Sequence, residues 1–543
     1  MSVMYDAIIV GAGHNGLVCG AYLAKAGLKV VNVERRSLQG GACVSEESWP
    51  GYRVSTGAYL MSLMQPKIIL DLELQKHGLE VLAHSPTFVP FDDGRSIVFW
   101  GDLAKTCAEF AKFSERDAAA YPKFRQNLER LMPFVRDIIW ETPLDPSDLS
   151  LKGMMRTGGF AWRYKKHADA IHELYDILTM SAFDYLSRWF ESDEVITALG
   201  YYVTGGGTNR SMKMPATAFA LLRPLLRDNG TPAGAGGLIR GGMGSVSDAI
   251  AQSGAKHGLE VRTGSPVEEI LVSSGKVTGV RLESGEVIQG RCVISNADAK
   301  TTFLKLVCNS PYEDSFERDV KGIRTKSSIF KIHLALSKLP KFTAFSPEDR
   351  GFAYPGSIRI GTTVAYMEEA FHSHLGGHPS ENPFLTIMIP SLYDETVAPP
   401  GMHLMQIMGG HAPCTTQRMS LPEMRQRLLE TAIRTIARHA PDFNADMIVH
   451  SEVLTPLDLQ ERFGLPDGHV HHGDLTLDQT FFQRPVGGYA DYRSPIDGLY
   501  LCGSAAHPGG GVTGVPGHNA AREVLRDLKK RGPVLDMLTK VGG

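Results

Sequence analysis

Residues 5–41 read YDAIIVGAGHNGLVCGAYLAKAGLKVVNVERRSLQGG, and the fold is decided there. Tyr5 to Val10 is a short apolar run closed by glycine, the pattern of a buried parallel strand. Asn15 to Ala26 carries Leu17, Ala21, Leu23 and Ala24 close to one helical face and stops at Gly27, a natural C′ residue. Leu28 to Val33 is the next strand, so the spacing predicts a complete βαβ unit in about thirty residues. Its first turn is Gly11-Ala12-Gly13-His14-Asn15-Gly16. Gly11 permits a tight turn, Gly13 lets the backbone approach a pyrophosphate, and Gly16 lets the helix pack on the strand. The N–H groups and dipole of the helix starting near Asn15 face the phosphates. Glu34 ends the second strand about twenty residues on, where a carboxylate bonds ribose hydroxyls and repels a 2′-phosphate. NADP is thereby disfavoured, and NAD and FAD remain. Gly40 and Gly41 follow at once, a second glycine pair able to close on the same dinucleotide.

A matching block stands near the other end of the chain. The run LYLCG is a strand ending at Gly503-Ser504, followed by the glycine-rich His507-Pro508-Gly509-Gly510-Gly511. Gly514-Val515-Pro516-Gly517 then opens a helix, with proline near N1, where its missing N–H costs nothing. A helix N-terminus aimed at the pyrimidine edge of a flavin stabilises negative charge there by roughly 0.3 to 2 kcal/mol.

With these motifs in view, the chain resembles the amine oxidase and phytoene desaturase superfamily of flavoproteins. The resemblance runs through GAGHNGLVCGAYLAKAGLKV, GYRVSTGAYL, SERDAAAYPKF, RGGMGSVSDAI, VISNADAKTTFLKLV, VAPPG, DLTLDQTFFQRP and LYLCGSAAHPGGGVTGVPGHNAA. Within the superfamily the pattern is most similar to the group called pyridine nucleotide-disulphide oxidoreductase domain-containing protein 2 and to flavin-type β-carotene ketolases. The resemblance implies that FAD is the cofactor and that Gly11, Ala12, Gly13, Asn15, Gly16, Glu34, Arg35, Gly40, Gly41 and Ala42 take its ADP half. Gly503, Ser504, Gly514, Val515 and Pro516 fall at the ring, and Val267 completes the set. Many flavoproteins carry an acid where Ser504 stands, so that contact is weaker here or made by backbone. The resemblance also implies an oxidoreductase for an apolar, carotenoid- or lipid-like molecule, with hydride passing to flavin N5. It aligns His472 with a position shared by relatives, which makes it the candidate for the catalytic face beside a structural reading of equal weight.

The fold class implied is α/β: an FAD-binding Rossmann-like domain of glutathione-reductase type with an inserted α+β substrate domain. The α/β pattern occurs three times, so the FAD domain is expected at 1–70, 235–300 and 485–543, and the substrate domain at 71–234 and 301–484. From about Lys67 to Asn229 the pattern reads as mostly helical, with Ser114 as an N-cap. GGMGS at 241–245 lacks the dinucleotide register and a preceding buried strand, and reads as a loop near FAD or a hinge.

Composition narrows the remaining options. A chain of 543 residues is worth about three to four domain equivalents and buries roughly three quarters of its unfolded surface, enough for a large cofactor. Lys and Arg total 56 against 59 Asp and Glu, net −3 with no long basic run, which argues against nucleic acid. Seven cysteines without a C-x-x-C pair point to a reducing compartment and no redox disulfide. No signal or transit segment is expected before a strand that starts near Tyr5, and no run has the roughly 18 apolar residues of a spanning helix. A cytoplasmic protein is expected, with peripheral membrane attachment open. KGMMRTGGFAWRYKKHADAI mixes basic and apolar residues and suits membrane docking or, slightly better, a solvated helix. His469, His471 and His472 lack the acids or cysteines that complete a metal site, so no metal is expected. Phe183, Tyr185, Trp189, Phe190, Tyr201, Tyr202, Phe219, Leu221 and Leu222 suit an apolar tunnel but read more readily as core. Two other functions compete: an NAD-dependent dehydrogenase using the first fingerprint alone, and a flavin-free lipid carrier of the same architecture. The intact HPGGG and GVPG loops argue against the carrier.

Overall fold

The computed structural model describes residues 4–205, 210–226, 237–308, 312–414, 418–529 and 532–539. One sheet is built from β1 (Met4–Val10), β2 (Val30–Val33), β3 (Glu260–Arg262), β4 (Val267–Ser273), β5 (Lys276–Leu282), β6 (Val287–Ser295) and β7 (Leu499–Leu501). β1 is central. It pairs in parallel with β2, Ala7 opposite Val30, and with β6, Val10 opposite Ser295. β3 lies outside β2; the antiparallel β4–β5 hairpin joins the start of β6, and β7 runs parallel to its end. The apolar β1 and β2 runs are buried because helices and the hairpin cover the sheet, the usual condition for parallel strands. Helix α1 (His14–Lys25) lies beside α2 (Gly244–Ala255) and α3 (Val515–Asp527), so both ends of the chain meet on one helix. The α1–α3 crossing is backbone on backbone: a Cβ on Gly517 would stand 2.1 Å from the Asn15 carbonyl oxygen.

A second sheet of seven strands orders Ile448–Leu454, Phe330–Leu336, His403–Gly410, Phe384–Met388, Ser357–Ile360, Thr87–Pro90 and Ser96–Phe99. Two of these strands fall in the stretch expected to be mostly helical. There Phe88 and Val98 alternate inward around a turn at Gly94, a period of two that the helical segments on either side obscure. The helices Leu103–Ala111 and Glu115–Ile138 follow, the second capped by the Ser114 hydroxyl on the Asp117 amide as expected. Tyr185, Phe190, Leu221 and Leu222 pack into this helical core. Among the described residues no helix is long and apolar enough to cross a membrane.

The second sheet has unlike faces. Ile332, Leu334 and Leu336 point to an apolar core shared with Met424, Leu428 and Ile436 of the helix Leu421–Ala437. The alternate residues Lys331 and His333 point the other way, to the segment 55–59. Lys331 Nζ donates to the Gly57 carbonyl at 2.6 Å and sits 4.2 Å from the Tyr59 ring centre; Gln406 donates to the Ser55 carbonyl at 2.9 Å. Segment 55–59 is in turn tied to the Gly40-Gly41 loop, because the Ala58 amide donates to the Ala42 carbonyl at 2.6 Å.

Burial pushes the Lys331 ammonium from its ordinary 10.5 down to about 7. Between those values the unfolded chain holds a proton that the folded chain has released, so stability rises with pH across that window. The burial penalty is complete below about 7 and absent above 10.5. Chemical denaturation at pH 7 and pH 9 is expected to show this rise in the wild type and a flatter difference in Lys331→Met. Separately, Gly517→Ala is expected to lower stability by roughly 2 kcal/mol, since neither backbone can retreat.

Candidate functional site

A cavity of about 1000 Å³ opens at the C-terminal ends of β1, β2 and β6. β1 has neighbours on both sides, so connections diverge above it and leave the crevice in which open α/β sheets bind ligands. Gly11, Gly13, Asn15, Glu34, Arg35, Gly41, Ala42, Val267, His472 and Ser504 all line it, so residues from both ends of the chain do converge. Asn296, Asp298 and Lys300 line it as well, and the motif reading did not single them out.

The glycines are required by close approach. A Cβ on Gly16 would stand 2.4 Å from the Gly11 carbonyl oxygen, and one on Gly13 would stand 2.7 Å from Asn296 Nδ2. Gly41 adopts φ +58° and lies against the Gly13 Cα, while the Gly40 amide donates to the Ala12 carbonyl at 2.7 Å. The two N-terminal glycine loops are therefore one structure. Gly503 packs with its Cβ position 2.4 Å from the Asn296 carbonyl oxygen. Asn296 thus touches the first and last glycine motifs at once. The clue available in the sequence is its place directly after the buried strand RCVIS, at the ligand-binding end of the sheet.

Glu34 is buried and held from two sides: Oε2 accepts from the Ala12 amide at 2.8 Å and Oε1 from the Arg36 amide at 2.9 Å. Arg35 turns outward, and its Nη2 donates to the Glu461 and Arg462 carbonyls at 2.7 and 3.1 Å. It thereby holds the C-terminal end of the helix Pro456–Phe463 over the cavity, where Gln460, Phe463 and Leu465 form part of the wall. Ala12, Gly16, Gly40, Gly503, Gly514, Val515 and Pro516 lie behind the lining. Gly514, at φ +75°, caps α3 and packs on Met64 and Ile68, and the Val515 amide donates to the Thr513 hydroxyl at 3.2 Å. The GGMGS segment packs beside the Gly40 loop, with the Gly244 amide donating to Ser45 Oγ at 2.9 Å; a short buried strand, Leu238–Ile239, precedes it.

The three histidines near residue 470 part company. His469 Nε2 lies 3.2 Å from Asp474 Oδ1, and His471 Nε2 lies 3.1 Å from Arg223 Nη1. His472 faces the cavity in a left-handed conformation, φ +58°. Burial lowers its pKa to about 4, as it does for His14, whose Nε2 lies 3.3 Å from the Gly511 carbonyl oxygen. Both imidazoles are neutral at pH 7. Buried Arg484 fixes the loop that carries His472: its guanidinium donates to the carbonyls of His471, Asp474, Gln479 and Ser504.

These residues fit FAD. The cavity has the volume for a dinucleotide, the Gly13–Gly41 cradle leaves little room for a Cβ at either glycine, and a fixed carboxylate stands at the end of β2. Asn15 Oδ1, Asp298 Oδ2 and His472 Nδ1 are buried at its wall without hydrogen-bond partners, which marks them for a ligand.

Fold and site define a dinucleotide-binding flavoprotein. Residues 16–372 match the family described as flavin containing amine oxidoreductase, and the chain belongs to that family. It is an FAD-dependent oxidoreductase. Pyridine nucleotide-disulfide oxidoreductase domain-containing protein 2 of Rattus norvegicus is 35% identical, across 97% of this chain and 94% of the relative. One component of the limonene dehydrogenase of Castellaniella defragrans is 26% identical, across 96% and 95%. Among solved structures, a putrescine oxidase triple mutant superposes with a TM-score of 0.59 at 15% identity, covering 97% of this chain and 99% of that one.

Asn296→Leu is expected to yield folded protein that has lost most of its flavin, read from the absorbance ratio after desalting. Glu34→Gln is expected to weaken FAD about ten- to hundredfold by removing charge from its hydrogen bonds, measured by flavin fluorescence titration of the apoprotein.

Proposed function

We propose that this oxidoreductase acts on an apolar, polyene- or lipid-like substrate, which would give up a hydride to bound FAD and a proton to water as two C–H bonds break. The observation that carries the reading is the apolar stretch of the cavity wall: Leu304, Leu421, Leu457, Phe463, Leu465 and Val470 line the cavity that His472 faces, and burial leaves His472 neutral there. Apolar walls of this kind favour a substrate that is itself apolar. The likeness to the limonene dehydrogenase component, named for a hydrocarbon substrate, supports the same reading.

Bound FAD supplies the two-electron acceptor, and the protein supplies position and dryness. Asn296 and the three glycine loops fix the cofactor pocket, and Arg484 holds the His472 loop against Ser504. His472 directs a neutral imidazole at the cavity, with Nδ1 free to bond whatever enters. Lys331 and Gln406 anchor segment 55–59 on the second sheet and so keep the Gly41 loop closed over the cofactor. In this reading the residues at 1–70, 235–300 and 485–543 serve the cofactor, and those at 71–234 and 301–484 the substrate, with the stretch 457–472 also closing the cofactor cavity.

Anaerobic bleaching of the bound flavin against carotenoids, retinoids, fatty acids and amines tests the proposal. Bleaching by a member of the apolar classes is expected; bleaching by amines alone would overturn it. His472→Asn is expected to retain flavin and lower turnover roughly tenfold or more. Because its pKa lies at about 4, His472 is expected to add no inflection to the wild-type rate profile between pH 5 and 8.

A further inference from the structure

Among the described residues, fifteen large apolar side chains are exposed, and seven of them fall between residues 149 and 175. Leu149, Leu151, Met154, Met155 and Trp162 are 54–79% exposed, and Ile171 and Tyr175 continue the patch. Most belong to the helix Leu151–Tyr164. At 100° per residue, Leu151, Met154, Met155 and Trp162 occupy one arc of about 100°. Gly153 and Tyr164, its buried residues, point elsewhere, and Tyr164 packs edge-on against Phe134 of the neighbouring helix with ring centres 5.1 Å apart. Ser150 caps its start, with Oγ accepting from the Gly153 amide at 3.0 Å. The helix is thus anchored on one side and presents an apolar stripe to solvent on another.

Charge identifies what covers the stripe. The chain carries a net −3, yet residues 149–166 hold five cations, Lys152, Arg156, Arg163, Lys165 and Lys166, and no carboxylate. Arg163 pairs with Glu141, and Lys165 Nζ lies 3.1 Å from the Trp162 ring centre. Lys152 and Arg156 form no salt bridge among the described residues and project beside the stripe; the pKa of Asp148, just before the helix, is lowered by its hydrogen bonds from Ser150 and also by the charges of Arg156 and Lys152. A recess of about 590 Å³ adjoins it, lined by Arg156, Arg163, Arg522 and Arg526 together with Asp137 and Glu141; Arg163 is paired with Glu141, and Arg522 and Arg526 with Glu523. An exposed apolar stripe flanked by cations has the composition of a helix lying in a lipid interface, its apolar residues at the acyl boundary and its cations among headgroups.

We propose that the helix Leu151–Tyr164 and its flanks dock the protein on a bilayer surface carrying anionic phospholipid. The helix is too short and too charged to cross the bilayer, so it lies along it. Docking of this kind would bring the protein to where apolar molecules are dissolved, but it rests on the helix alone and not on the identity of the substrate.

The test is co-sedimentation of the full-length flavoprotein with vesicles of phosphatidylcholine alone and of phosphatidylcholine with phosphatidylserine. Binding is expected to the mixed vesicles only and to weaken as salt is raised. Met155→Glu combined with Trp162→Glu, and separately Lys152→Glu with Arg156→Glu, are each expected to cut vesicle binding roughly tenfold or more. Both variants should keep the flavin spectrum and denaturation midpoint of the wild type, which separates lost docking from lost folding. Equal binding to the two vesicle types, binding unchanged in the Met155/Trp162 variant, or no binding to either vesicle would overturn the proposal. Self-association in place of vesicle binding, abolished by the Met155/Trp162 variant, would overturn it too and assign the stripe to a second copy of the chain.

Discussion

The structure depends on one crowded place, where Asn296 leaves the end of β6 and meets the glycine loops of both chain ends. Gly13 approaches its side chain and Gly503 its backbone closer than a Cβ would allow, and Gly16 packs on its side chain while a Cβ there is excluded by the Gly11 carbonyl. Close-packed backbone has no soft degree of freedom with which to absorb an added atom, so this contact fixes the spacing of three loops together. The cofactor cavity is the space those loops leave. The glycines therefore act first on protein architecture and only then on the cofactor. The same holds at Gly517, where α3 rests on the backbone of α1.

A second set of contacts couples this cofactor layer to the rest of the molecule. Segment 55–59 is bonded to Ala42 on one side and to Lys331 and Gln406 of the second sheet on the other. Arg35 reaches from the end of β2 to the end of the helix Pro456–Phe463, and Arg484 binds the carbonyls of His471, Asp474, Gln479 and Ser504. Each cation is satisfied by backbone carbonyls, so the cavity is closed by directional bonds that use little carboxylate. His472 itself stays neutral through burial, with Asp298 and Arg484 as charged neighbours of opposite sign.

Much of this was legible in the sequence because local rules enforce it. The βαβ unit, Glu34 at the strand end, the Ser114 cap and the parallel strand at Leu499–Leu501 follow from period, spacing and capping chemistry. The family resemblance rested on the same motifs and is the family to which the chain belongs. What was not legible depends on partners distant in the chain. Asn296 is an ordinary polar residue after a strand until Gly13 and Gly503 arrive beside it. The resemblance places Arg35 at the cofactor and it does line the cavity, but its hold on the helix Pro456–Phe463, more than four hundred residues away in the chain, could not be read from its neighbours. The hairpin Thr87–Pro90 and Ser96–Phe99 was hidden because short alternating runs carry less signal than the long helices around them.

One flavin has to be gripped simultaneously by the leading glycine loops, by Asn296 and by the loop that carries His472. Hydrogen exchange of the apoprotein with and without added FAD measures that grip along the whole chain. Slowed exchange is expected together in residues 11–16, 34–42, 296–301 and 457–472. Protection confined to 11–16 and 34–42 would mean that a nucleotide is held at one end only, and would contradict the account.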